Sequence, residues 1–486
     1  MRRTILLATA AAVAITPGVL SAQASNRGLP ARYVQDAQKE HPALVAEFGG
    51  AETGARGAYI DSIGRRIAGQ SGVNPQAYRF TALNSAVENA FAVPGGYIYI
   101  TRQLMGIMGD EAELAFVLGH EVGHVAANHA QARQRATQTS AIGGILGAIL
   151  GSVVGGGFGN LIGQALQTGS QLRTLSFTRA QEYDADRLGI SYLTRTGYDP
   201  SASATMLASL ARSQALEARV QGRDSRSTPE WASTHPLSEN RTRQAAAEAQ
   251  RTGRAGQGLR NRDQFLNQLD GIVVDDDPAQ GVIEGRNFTH PDLRLQFTVP
   301  TGYLMQNGTR AVSIEGAAGK AQFSTRQFNG DLDQYVGGVL QDLTGGRTQI
   351  QLVDQRRTTI NGIPTSYIVG RAQTSSGVVD VSVFAYQFDR DSAFHFATLT
   401  RGGTGVGPFG SMVNSLRRIT AQEAAAIRPR VIDVVTVRQG DTVQSLASRM
   451  AYSSFQAERF LSLNGLPVNA RLAPGQRVKL VVFGRR

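Results

Sequence analysis

His120-Glu121-Val122-Gly123-His124 decides the reading of this chain, because five residues hold a pair of metal ligands and a base. On a helix, positions i and i+4 share one face, so the two imidazoles converge on one point. That spacing suits two nitrogen ligands of a zinc ion, and Glu121 lies close enough to take a proton from a water at the metal. Asp110 followed by Glu113 predicts the helix start, and Leu114, Val117, Leu118 and Val125 predict an apolar face at helical spacing. Two histidines on a buried helix can also be satisfied by ordinary hydrogen bonds, so the five residues need support from elsewhere.

Working outward, Arg179-Ala180-Gln181-Glu182-Tyr183-Asp184-Ala185-Asp186 supplies it. Hydrolytic zinc sites use three protein ligands and leave a position for water, so a third donor must come from another segment. Glu182 sits in a stretch that reads as a helix over 177–193. Asp186, four residues on, shares its face and can hydrogen-bond the outer nitrogen of a ligand histidine. Upstream, residues 78–83 and 91–101 read as strands, the second broken by Pro94-Gly95-Gly96. A strand near the metal can pair with an extended substrate through its main chain, which makes Asn89, Ala90 and Phe91 candidate substrate-strand residues.

Four motifs occur in a fixed order: Glu88-Asn89-Ala90-Phe91-Ala92-Val93-Pro94-Gly95-Gly96-Tyr97, the His120–His124 helix, Glu182 with Asp186, and Ser233-Thr234-His235-Pro236. Over residues 30–250 this order resembles the zinc metalloprotease family of CAAX prenyl proteases, HtpX and BepA. The resemblance implies a mainly helical metalloprotease with a small β element and one Zn(2+) per chain. It carries His120, His124 and Glu182 over as metal ligands, Glu121 as general base, and Asp186 as orienter or proton donor in catalysis. It also marks His235 as a regulatory ligand or a transition-state residue.

The chain opens with Met1-Arg2-Arg3, an apolar run over 5–15 and the small-residue pattern Ala22-Gln23-Ala24. This predicts a signal peptide over 1–24, cut after Ala24, and hence a periplasmic or envelope location. With Cys 0 there is neither a lipoprotein cysteine nor a disulfide, so packing and metal must hold the fold. The formal charge of +11 suits anionic lipid or wall surfaces. Nucleic acid is excluded as a partner by the export signal and the lack of any recognition motif. Between His124 and Glu182, Gly143, Gly147, Gly151, Gly155, Gly159 and Gly163 recur every fourth residue. Three readings of 141–163 stay open: a lid, a loop, or a hairpin contacting a membrane surface.

Past residue 250 the polar, Gly-rich composition predicts a linker over 251–278, followed by an α+β domain of unstated role over 279–420. Strands are expected over 293–299, 379–388 and 394–399, with helices over 332–343 and 409–416. A second linker covers 421–432. The stretch Val434-Val435-Thr436-Val437-Arg438-Gln439-Gly440-Asp441-Thr442, with Leu463-Asn464-Gly465-Leu466 and Leu472-Ala473-Pro474-Gly475-Gln476-Arg477-Val478, resembles a LysM module. It implies a small β-α-α-β domain over 433–482 that binds peptidoglycan.

The expected architecture is therefore multidomain: a signal peptide, a mainly α zinc metalloprotease domain over 25–250, an α+β domain, and a LysM-like module. No helical repeat of about 34 residues follows the protease motifs, unlike BepA. The expected function is an exported zinc endopeptidase acting on misfolded or misassembled envelope proteins, held near the wall. The alternative is a peptidoglycan-binding protein whose metal site is vestigial or cuts wall peptides.

Overall fold

Helices α1 (Ala31–Glu47) and α2 (Gly54–Ala68) precede a small sheet of β1 (Arg79–Leu83), β2 (Ala90–Val93) and β3 (Tyr97–Thr101). The computed structural model describes residues 27–130, 177–220, 235, 239–344, 350–374 and 377–485. The expected leader over 1–24 and the glycine-spaced stretch over 141–163 lie outside the described residues. In the sheet, β3 is central, parallel to β1 and antiparallel to β2. The β2–β3 turn requires Gly95 and Gly96: both have positive φ, and a Cβ on either would collide with the carbonyl of Tyr33 or Ala77. Among the described residues, β2 is left as an edge strand.

Helix α3 (Arg102–Ile107) is capped by Thr101, and α4 (Glu111–Ala126) by Asp110, whose carboxylate accepts from Glu113 N. Such a cap contributes about 1 kcal/mol. Every residue of α4 from Glu111 to His124 is buried, so the single apolar face expected from the sequence is too narrow. The helix runs through the middle of the domain, surrounded on all sides. Helix α5 (Arg179–Arg195) begins at a reciprocal Thr178–Gln181 capping box and lies against α4. Helices α6 (Ala202–Val220) and α7 (Glu239–Arg251) complete this layer.

The linker expected over 251–278 is corrected by the structure. It contains α8 (Arg262–Leu269) and β4 (Val273–Val274), and Phe265, Leu266 and Leu269 are fully buried. Three well-placed apolar side chains anchor a helix whose overall composition is polar, which is why composition misled. No described helix is long and apolar enough to cross a membrane.

The middle region contains β5 (Val282–Glu284), β6 (Asn287–His290), β7 (Leu295–Thr298), β8 (Leu304–Asn307), β9 (Ala311–Gly316) and β10 (Gly319–Thr325). Helix α9 (Leu332–Thr344) follows, then β11 (Gln351–Ile360), β12 (Ile363–Thr374), β13 (Gly377–Gln387), β14 (Ala393–Arg401), α10 (Gly410–Ser415) and β15 (Arg417–Arg418). A seven-stranded antiparallel sheet in the order β11-β12-β13-β14-β10-β9-β8 has α9 on one face. A four-stranded sheet, β15-β7-β6-β5, and α10 cover the other. The strand period sorts the residues: Phe384, Tyr386, Phe394 and Phe396 enter one core, and Val383, Ala385, Ala393 and Ala397 the other.

The second expected linker, 421–432, is likewise structured, holding α11 (Ala421–Ala426) and the start of β16 (Arg430–Thr436). Helices α12 (Val443–Ala447) and α13 (Gln456–Leu463) and strand β17 (Arg477–Phe483) complete a β-α-α-β unit. Its two strands are antiparallel, and β16 also pairs with β4. Ile432, Leu446, Phe460, Val478 and Leu480 belong to the same hydrophobic core as Ile107, Met108, Leu118 and Phe265. Lys479, buried in this seam, donates to Gly106 O at 2.7 Å and Met108 O at 2.6 Å, satisfying carbonyls at the end of α3. The C-terminal unit is thus built into the first domain, not tethered to it.

Candidate active site

Two helices make the site, and glycine decides how close they come. A Cβ on Gly119 would stand 3.3 Å from Gly189 Cα, and one on Gly123 3.2 Å from Leu188 Cβ. Bare backbone at these crossings lets α5 approach α4 closely enough for Glu182 to meet both histidines. His120 Nε2 and His124 Nε2 are 3.0 Å apart, and Glu182 oxygens lie 3.5 and 3.4 Å from them respectively. His235 joins the group, its Nδ1 2.9 Å from Glu182 Oε1 and 3.3 Å from His120 Nε2. All four side chains are buried, and their donor atoms lie within 4.8 Å of one another.

Three imidazole nitrogens and a carboxylate turned inward form an electron-rich knot that protons alone satisfy poorly. A cation satisfies it, and nitrogen and oxygen donors in this number suit zinc. Glu121 stands beside the knot, 1 % exposed, with neither carboxylate oxygen hydrogen-bonded among the described residues. Its closest ion-pair contact is His235 Nε2 at 3.7 Å.

Behind the knot, Asp186 Oδ1 is 2.9 Å from His120 Nδ1, so this imidazole keeps Nε2 toward the centre. Arg241, on α7, grips Asp186 with Nε at 2.6 Å and Nη2 at 2.8 Å and places Nη1 2.6 Å from Glu182 Oε2. The sequence reading gives Arg241, five residues beyond Pro236, no task. It also passed over His129, whose Nδ1 is 3.0 Å from His124 Nδ1, and Asp184, 3.4 Å from His129 Nε2. A third histidine five residues after His124 and a carboxylate between Glu182 and Asp186 were the available signals.

The charges are mutually set. Burial opposes ionisation of Glu182, but His235 and Arg241 outweigh it and hold its carboxyl well below the usual range. Asp186 is lowered in the same way, burial being overcome by Arg241. Burial pushes the Glu121 carboxyl up against the pull of His235 and His120. It holds His124 well below its ordinary value, keeping that imidazole neutral as a ligand must be. His235 is raised, because Glu182 and Glu121 overcome its burial.

The candidate substrate-strand residues Asn89, Ala90 and Phe91 all have buried side chains. Asn89 precedes β2, Ala90 and Phe91 lie on it, and β2 packs along α4. A shallow apolar cleft lies between the end of β2, α1 and His124, lined among others by Tyr33, Val93, Val125 and Phe177.

A helix-borne His-Glu-x-x-His pair completed by a glutamate from a second helix, beside an edge strand, defines a zinc metallopeptidase fold. Residues 55–249 match the profile of Peptidase family M48, and residues 435–481 that of the LysM domain. The chain therefore carries an M48 metalloendopeptidase domain, a zinc-dependent type, together with a C-terminal LysM domain. It is 34% identical over 187 residues to the beta-barrel assembly-enhancing protease of Escherichia coli (strain K12), a match covering 38% of this chain and 37% of that one. The corresponding protein of Yersinia pestis is 33% identical over 186 residues, with the same coverages of 38% and 37%. The mitochondrial metalloendopeptidase OMA1 of Schizosaccharomyces pombe is 25% identical over 215 residues, covering 44% of this chain and 58% of the relative. The chain thus spans little more than a third of the length of its beta-barrel assembly-enhancing relatives.

Proposed function

We propose that this chain is a zinc endopeptidase of the cell envelope that cuts unfolded or misassembled polypeptides. The observation that supports it most is the convergence of His120, His124 and Glu182 on one buried point, with Glu121 alongside. His120, His124 and Glu182 would hold the zinc, which supplies Lewis acidity to activate water and polarise a peptide carbonyl. Glu121, with its carboxyl raised by burial and both oxygens open, takes the proton of the attacking water and delivers it to the leaving nitrogen. Asp186 holds His120 in register, and Arg241 keeps Asp186 and Glu182 ionised. Strand β2 would bind substrate main chain edge to edge, through Ala90 and Phe91, which favours extended chains over folded ones.

His235 is proposed as the regulatory group. As a fourth inward donor it competes with water and substrate for the position a hydrolytic site must leave open. The relatives named for β-barrel assembly and the LysM domain support an envelope location, and the LysM domain supports peptidoglycan contact. Neither fixes the polypeptide substrates.

Casein and purified wall sacculi, each incubated with the full chain, separate a polypeptide substrate from a wall-peptide one. Glu121→Gln should keep about one zinc per chain yet abolish casein cleavage, and His124→Ala should lose metal and cleavage together. His235→Ala should raise basal cleavage at unchanged zinc content. Parental casein cleavage by Glu121→Gln would sink the catalytic assignment, and a fall in activity for His235→Ala would end the regulatory one.

A further inference from the structure

The two inward-facing histidines of α4 are held from behind by different devices, and only one of them is a direct carboxylate. His120 turns its Nδ1 to Asp186, at 2.9 Å. Among the described residues, His124 has no carboxylate at its Nδ1. It meets His129 instead, Nδ1 to Nδ1 at 3.0 Å. Two ring nitrogens at that distance share one proton, so one donates and the other accepts.

The surroundings decide which. Asp184 Oδ2 lies 3.4 Å from His129 Nε2, and Arg187 Nη2 anchors the other Asp184 oxygen at 2.7 Å. A carboxylate on that side favours the proton on His129 Nε2, which leaves His129 Nδ1 as the acceptor. His124 must then carry its proton on Nδ1, so its Nε2 presents a lone pair toward His120 and Glu182.

Local structure is arranged to hold His129 there. Asn128 has φ 55°, the left-handed conformation that asparagine tolerates, and this turns the chain back beneath α4 just past its end. Gln181 Nε2 donates to His129 O at 3.2 Å, tying the turn to the first turn of α5. His129 is 7 % exposed, and the His124 ring is stacked on Phe177 with centroids 3.9 Å apart. His124 therefore has one ring nitrogen on His129, one in the knot, and a face covered.

We propose that His129, backed by Asp184, is the positioning partner of His124: a two-residue relay that sets the His124 tautomer as Asp186 sets that of His120. The inference rests on the metal reading above and goes beyond it by assigning two residues outside the ligand set. Helix α5 would then supply carboxylates to the whole site, Glu182 within it, Asp186 behind one histidine and Asp184 behind the other through His129.

The test uses the full chain and reads metal binding, not turnover. Zinc affinity is measured by competition with a chromophoric chelator, and the visible spectrum of the cobalt(II)-loaded protein reports ligand geometry. His129→Ala should weaken zinc about 10- to 100-fold and shift the cobalt bands, as loss of an outer partner does. His129→Gln, whose amide oxygen can accept in place of Nδ1, should recover most of the affinity, and Asp184→Asn should lose several-fold. Parental affinity and an unchanged cobalt spectrum in His129→Ala overturn the relay, even if the metal-free protein melts lower. Should His129→Ala fail to fold, Asp184→Asn decides, because Asp184 is 36% exposed and tolerates change. Unchanged zinc affinity there overturns the proposal. A parental chain that binds no zinc would overturn the metal reading instead, so the two failures are distinguishable.

Discussion

The two segments that follow the peptidase region attach to it in opposite ways. Residues 282–418 form a unit with two cores of their own, one on each face of the large sheet. Its polar contacts with the first domain include Asn84 Nδ2 on Asp277 at 3.1 Å, where it is entered, and Thr309 and Arg310 on Glu47. The LysM unit has no separate core among the described residues, and its apolar side chains continue that of the peptidase. Strand β4, before the middle region, pairs with β16, after it. The middle region is thus an insertion into one continuous peptidase–LysM body. A segment recognisable on its own in sequence need not be a unit in space, and the less recognisable one here is the more self-contained.

The sharpest way to break this comparison is to delete each part. A chain ending after Arg430 should lose its cooperative melting transition and its zinc, since removing β17, α12 and α13 opens the shared core and total stability is only about 5–15 kcal/mol. Excising 279–427 and joining the ends with a short Gly-Ser bridge should leave zinc content and cooperative melting intact, because Val274 and Arg430 are already strand partners. The reverse pattern would mean that the insertion holds the body together.

A second, smaller effect compares ion pairs. Arg241 is 1% exposed between two carboxylates, so Arg241→Met should destabilise the metal-free protein by about 3–5 kcal/mol. Arg357, 64% exposed beside Asp331 and Asp333 in the insertion, should cost far less when changed to Met, because water screens an exposed pair. Urea denaturation of both variants measures this, and equal losses would contradict the contrast.

The smallest effect lies at the seam. Burial pushes the Lys479 ammonium down from 10.5 to about 7. Below pH 7 the folded and unfolded chains both hold this proton and its burial penalty is complete. From pH 7 to 10.5 the unfolded state binds more protons, so stability rises with pH. Relative to Lys479→Met, the parental chain should therefore gain on the order of 1 kcal/mol per pH unit above 7. Melting temperatures of both at pH 6.5 and pH 9 give the difference. A gap that does not change would mean that the carbonyls of Gly106 and Met108 keep the amine charged.

Much of the site was legible because helical spacing converts directly into geometry. His120 with His124, and Glu182 with Asp186, each lie four residues apart, and the structure brings all four side chains together. The alternating strands of the insertion were readable for the same reason, with Phe384 and Tyr386 on one face and Val383 and Ala385 on the other. What escaped depends on long-range packing. Lys479 looks like a surface residue in sequence, and only the end of α3 makes it an interior donor. Arg262 to Leu269 reads as polar linker until β16 and α4 are there to cover Phe265 and Leu269. His129 needed the left-handed turn at Asn128 to come beneath His124, and no periodicity announces that.

The Lys479–Gly106 hydrogen bond joins residues 373 positions apart, and its consequence concerns the order of assembly. Closing a loop of that length costs about 5 kcal/mol in chain entropy, repaid only once the seam is packed. The insertion needs no such closure, since β11 to β14 are successive hairpin neighbours that meet locally and early. A chain emerging from its N-terminus therefore folds its middle before its beginning is finished. The scaffold around His120, His124 and Glu182 is completed only when β17 arrives, so a nascent chain carries the peptidase motifs well before it carries the peptidase core.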